Sequence, residues 1–172
     1  YKRQVLDDVV LNLTGFTSGG HRSAHQDAAE PAVYTFRARD ISGKAAADFI
    51  SEGRLGTDSV LNGTLNITGL DLGRYSSMLP PSGLTLQKGI ADISFHYQYA
   101  GPSGLKDNSE KATIRNKIFN GHFKTTGFVL GRNNVQAAAG EMMICDKFHL
   151  DAASDTIVCD SLELRDSEIF VS

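Results

Sequence analysis

In stretch after stretch of this chain an apolar side chain returns at every second position, the period of a β-strand with one face covered and one face wet. Leu61, Leu65 and Ile67 alternate with Asn62, Thr64, Asn66 and Thr68, and Ile93, Phe95, Tyr97 and Tyr99 alternate with Asp92, Ser94, His96 and Gln98. Val5, Val9, Leu11 and Leu13 share a parity near the start. Ile144, Phe148 and Leu150, and then Val158, Leu162 and Leu164, do so near the end. β-Branched and aromatic residues suit a pleated surface, and clusters of Gly, Asn, Asp and Ser punctuate the runs. The pattern predicts a mainly β fold: a largely antiparallel sheet of repeated strand units, because most connections are too short for a crossover helix.

The units repeat. Residues 60–74 laid over residues 118–132, at an offset of 58, agree at seven of 15 positions without a gap. The core of the phrase, apolar-x-x-Thr-Gly-apolar, also occurs at Leu11-Asn12-Leu13-Thr14-Gly15-Phe16. The chain therefore reads as a single β-rich segment, residues 1–172, with repeat-like units around 5–16, 60–74 and 118–132. Three stretches break the rhythm. Gly19 to Pro31 has no apolar period and reads as a loop, and Gly101 to Asp107 reads as a wide turn. Asp71 to Leu79 reads as one short helix, with Asp71 as N-cap, Leu72, Tyr75 and Leu79 on one face and Pro80-Pro81 as its stop. Lys44 to Ile50 is rich in alanine, but Ser42-Gly43 and Gly53 look like hairpin punctuation, so a strand pair is expected there.

Composition removes several classes. Lys plus Arg total 17 against 20 Asp plus Glu, and no block of like charge occurs, which argues against a nucleic-acid partner held through phosphates. No apolar run approaches the roughly 18 residues of a membrane span. Two cysteines are too few for a disulfide-built miniprotein. Tyr1, with no initiator Met before it, reads as the start of a piece of something longer.

Chemistry-bearing patterns are sparse. His21 and His25 have the spacing of a metal pair on a helix, but they fall in a loop with no third ligand near. His96, His122 and His149 stand among polar neighbours, with no nucleophile assignable to them from spacing. Asp7-Asp8 in a strand would point to opposite faces, and Asp160, Glu163 and Asp166 read as surface groups. Gly53 and Gly56 read as a turn. No phosphate loop, dinucleotide fingerprint, nucleophile elbow or C-x-x-C occurs. The sequence thus points to no catalytic residue, no metal and no cofactor, and to a protein that is not an enzyme. Three N-x-[ST] sequons, at Asn12, Asn62 and Asn66, follow from the Asn- and Thr-rich repeat itself.

Gly63-x-Leu65-x-Ile67-x-Gly69-Leu70-Asp71-Leu72-x-x-Tyr75-x-x-Met78-Leu79-Pro80, followed by Leu84-x-Leu86-x-x-Gly89-x-Ala91-x-Ile93-x-Phe95-x-Tyr97, resembles the AsmA-like superfamily of Gram-negative envelope proteins. Val5 to Leu11 resembles a unit's opening strand, and Ile157 to Ser167 the opening of the next. The resemblance spans nearly the whole chain on degenerate hydrophobic phrases, and Gly19 to Pro31 matches no feature of it. It implies a curved sheet rolled into a trough, in the periplasm, within a protein anchored in the inner membrane by a helix this segment lacks. The implied role is to hold or conduct phospholipids between inner and outer membranes and so support outer-membrane integrity. The implied partners are phospholipid acyl chains and neighbouring segments of the full-length chain.

The recurring parity stacks Leu11, Leu13, Leu61, Leu65, Ile67, Ile93, Phe95, Tyr97 and Phe123 into one apolar strip, which under the resemblance would face acyl chains. The alternative is a closed β-sandwich, a structural or adhesive module of an envelope protein, in which the same strip forms the core. Cys145 and Cys159 flank an expected hairpin turn at Asp151 to Asp155, both on the less apolar parity of their strands. A three-residue loop would set them opposite for a disulfide. A five-residue loop would leave them diagonal and too far apart for a bond, and two unpaired small hydrophobes are the expected state.

Overall fold

The computed structural model describes residues 6–15, 31–41, 46–56, 60–75, 85–100, 117–132, 135–151 and 156–170. They form eight strands in one antiparallel sheet in sequence order: β1 (Leu6–Thr14), β2 (Ala32–Asp40), β3 (Ala47–Leu55), β4 (Val60–Asp71), β5 (Thr85–Ala100), β6 (Lys117–Arg132), β7 (Val135–Asp151) and β8 (Thr156–Ile169). The sheet is open. Extended contacts run only between neighbouring strands and from the helix α1 (Leu72–Tyr75) to β5. The closed sandwich expected as an alternative does not describe this sheet, because no second sheet packs on it among the described residues.

The helix is one turn. Asp71 caps it, its Oδ1 accepting a hydrogen bond from the Gly73 amide at 3.1 Å. Residues 76–79 of the expected helix, the loop at 19–30 and the turn at 101–107 lie outside the described residues. Leu72 is buried with Ala47, Leu70 and Ala91, so the helix covers one end of the sheet's apolar face. Of the alanine-rich stretch, residues 47–50 are strand, with β2 and β3 paired from Ala32↔Leu55 to Asp40↔Ala47, and residues 44–45 lie outside the described residues. Gly53 is not in a turn: it lies inside β3, opposite Gly63.

Strict alternation fails at a few residues, each with a physical cause. Asp8, Asn120 and Lys147 have left-handed φ of 50°, 52° and 54°, and each lies where the register to a neighbouring strand slips. An extra residue at a bulge reverses the facing of everything beyond it. For this reason Ile144 does not share a face with Phe148 and Leu150, as simple alternation predicts. Ile144 pairs with Lys124 and Glu163, whereas Phe148 packs its ring over Gly121. The repeated Thr-Gly phrase has its own local signature: Gly15, Gly69 and Gly127 take φ of 75°, 75° and 61°. A β-carbon is costly there, which accounts for glycine at all three.

Candidate functional site: the two faces of the sheet

Directly paired residues in an antiparallel sheet share a face. One row runs across seven strands as Ala38, Phe49, Ile67, Ile93, Phe123, Cys145 and Leu162, apolar throughout. Beside it Leu65 pairs with Phe95, and Leu61 with Tyr99. Leu11 and Leu13 pair with Phe36 and Tyr34. All nine residues of the expected strip therefore stand on one face. Their cover is uneven. Ala91 and Phe128, toward the helix end, are 0% and 1% exposed. Leu61, Leu65, Ile67, Ile93, Phe95, Tyr97 and Phe123 are half-buried, and Leu11 at the β1 edge is 66% exposed.

A polar device interrupts this face. Tyr34, Gly53, Gly63 and Tyr97 form one row, and the two tyrosine side chains lie over the two glycines until their hydroxyls meet. Tyr97 Oη is 2.8 Å from Ser51 Oγ, and Ser51 donates at 3.0 Å to the Thr64 carbonyl. Because a carbonyl only accepts, the order Tyr34 to Tyr97 to Ser51 to Thr64 engages every proton of the chain. Buried hydroxyls satisfied in this way can sit in an apolar setting. One buried group departs from that rule: Thr125 Oγ1 has no hydrogen-bond partner.

The opposite face is polar. Arg37, Ile50, Asn66, Ser94, His122, Asp146 and Ser161 follow one another across it. His122 Nδ1 lies 2.5 Å from Asp146 Oδ1, with both side chains about half exposed. Spacing in the sequence gave no sign of this; the pairing of β5, β6 and β7 creates it. Among the described residues no hydrogen bond joins Ser94 to His122, so the row is a serine beside a histidine–aspartate contact and not an assembled nucleophile. Exposed ion pairs join Arg39 with Asp48 at 2.7 Å and with Asp8 at 3.7 Å, and Arg165 with Glu163 at 2.6 Å. The hydrogen bond from Arg165 holds the Glu163 carboxyl below its ordinary pKa. The sequon residues Asn12, Asn62 and Asn66 are exposed. A depression of about 190 Å³ is lined by Thr64, Asn66, Ser94, Phe95, His96 and Asn120.

Cys145 and Cys159 are joined by a disulfide with a Cα–Cα distance of 6.1 Å. Neither expected loop is present, since Asp151 pairs with Thr156 and leaves four intervening residues, 152–155. Cys145 lies opposite Leu162 and Cys159 opposite Phe148, the diagonal arrangement expected to be too long for a bond. The distance nonetheless falls within bonding range. The bulge at Lys147 breaks the alternation that would have turned Cys145 and Phe148 to different faces, and Cys145 stands in the apolar row rather than on the less apolar parity.

The chain matches no protein-family model, no curated protein and no solved structure. Among the described residues no helix is long and apolar enough to cross a membrane, and no group of three or more His, Cys, Asp or Glu could hold a metal ion. His21 and His25 lie outside the described residues.

Proposed function

We propose that this chain is a segment of an AsmA-like envelope protein, a periplasmic β-trough that holds or conducts phospholipids between the inner and outer membranes and carries out no chemical step. The observation that carries the reading is the apolar row from Ala38 to Leu162 on a sheet with no second sheet against it among the described residues. Phe49, Ile67, Ile93 and Phe123 in that row are half-buried and Leu162 is exposed; apolar side chains in a continuous row have the chemistry of an acyl-chain surface and need cover. The Cys145–Cys159 bond supports an oxidising compartment such as the periplasm. The polar opposite face suits an aqueous surrounding.

The test is photo-crosslinking in cells from positions 65 and 95 of the full-length protein. Both probes should capture phospholipid, and a probe at exposed Asn66 on the other face should not. Leu65→Asp should block lipid passage in protein that remains folded, because a carboxylate there meets acyl chains with no partner. Asn66→Asp should be tolerated. Folded, functional protein whose probes at 65 and 95 capture no lipid would falsify the trough.

A further inference from the structure

The depression on the polar face adjoins a bulge. Between Ser94↔His122 and His96↔Phe119, β6 carries one residue more than β5, and Asn120 takes the left-handed conformation that accommodates it. Bulges re-aim side chains and part the strands locally. Thr64 and Asn66 of β4, Ser94 and His96 of β5 and Asn120 of β6 converge there. Among the described residues none of these five side chains has a protein hydrogen-bond partner. Asn120, in a left-handed conformation that asparagine adopts more readily than most residues, brings an amide to the depression.

The lining selects a class of ligand. Among the described residues no Lys or Arg lines it, which argues against phosphate or carboxylate, and one imidazole without a carboxylate does not make a metal site. Two hydroxyls, two amides and an imidazole each supply both donors and acceptors, or either by tautomer. Sugar hydroxyls have the same double character, and amide forks match adjacent pairs of them. Phe119, 40% exposed and outside the lining itself, stacks on the lining residue His96 with ring centroids 5.7 Å apart and adds an apolar ring beside the depression. The volume is below the roughly 300 Å³ at which drug-sized pockets begin, so it suits a single ring of a longer chain. We infer that this depression is a binding site for one neutral sugar residue of a glycan, on the face opposite the apolar row and independent of any lipid role.

The test is saturation-transfer NMR on the whole chain with maltotriose and N,N′,N″-triacetylchitotriose as probes. At least one should show saturable transfer from its ring protons. Asn120→Gly keeps the left-handed backbone and removes only the amide, and Ser94→Ala removes only a hydroxyl. Each should weaken binding about tenfold, the value of a single hydrogen bond at the upper end of its range. Asn62→Ala, exposed and outside the depression, should bind as the unaltered chain does. Absence of saturable transfer with both sugars overturns the inference, and so does undiminished affinity in both Asn120→Gly and Ser94→Ala.

Discussion

At Gly63 a β-carbon would lie 2.6 Å from the Glu52 carbonyl oxygen and 2.8 Å from the Tyr97 hydroxyl. The carbonyl belongs to the sheet ladder and has little freedom to move. Gly63→Ala should therefore lower stability by about 1–3 kcal/mol in urea unfolding. Gly127 differs: nothing lies within 4 Å of its would-be β-carbon, yet its φ is 61°. Gly127→Ala should cost about 1–2 kcal/mol through the backbone alone, and Gly127→Asn less, since asparagine visits that region more readily. Thr125→Val tests the reverse case. The hydroxyl is fully buried without a partner, so a methyl in its place should leave stability unchanged or raise it by about 1 kcal/mol. Glu163 gives the pH signature. Its hydrogen bond from Arg165 lowers its folded pKa, so the pair's contribution is present above the unfolded carboxyl pKa and fades as pH falls through the folded one. The contribution is small because the carboxyl is exposed. An NMR titration of the Glu163 carboxyl should give a midpoint below the ordinary value, returning toward it in Arg165→Gln.

Among the elements, those with unbroken alternation were legible before any coordinates. The facing of β4 from Leu61 to Ile67 and of β5 from Ile93 to Tyr99 follows directly from period two. The Asp71 cap was legible because its chemistry is local. Bulges were not, because asparagine, aspartate and lysine announce a left-handed turn far more weakly than glycine does. One such residue, Lys147, changed the reading of β7 and with it the fate of the cysteines. The polar depression stayed hidden for the same reason: five residues from three strands come together only once the register around Asn120 is known. The disulfide has its own consequence at this scale. It ties the edge strand β8, paired on one side only among the described residues, to β7. With a sequence separation of 14, its loss should cost about 3 kcal/mol. Hydrogen exchange after reduction should show β8 amides losing protection first, while β4 and β5 keep theirs.

At the scale of the whole molecule the described residues form a single sheet whose two margins have no further strand among them. Every residue of β1 is exposed, and so is most of β8. Unpaired edges of this kind attract further strands, and the left-handed Asp8, with Asp7 beside it, gives the β1 margin charge and a kink that oppose such addition. Native-state exchange should rank the strands from the margins inward, with the slowest amides around buried Ala91 and Thr125. A sheet whose strands touch only their neighbours would melt like a zipper, one tooth at a time. The meeting of Tyr34 and Tyr97 adds a clasp that skips two teeth, so β2 cannot part from β3, nor β4 from β5, without breaking it. Tyr97→Phe should undo the clasp without disturbing the ladder. In that variant the gap in protection between β2 and β3 on one side and β4 and β5 on the other should widen beyond that of the natural chain.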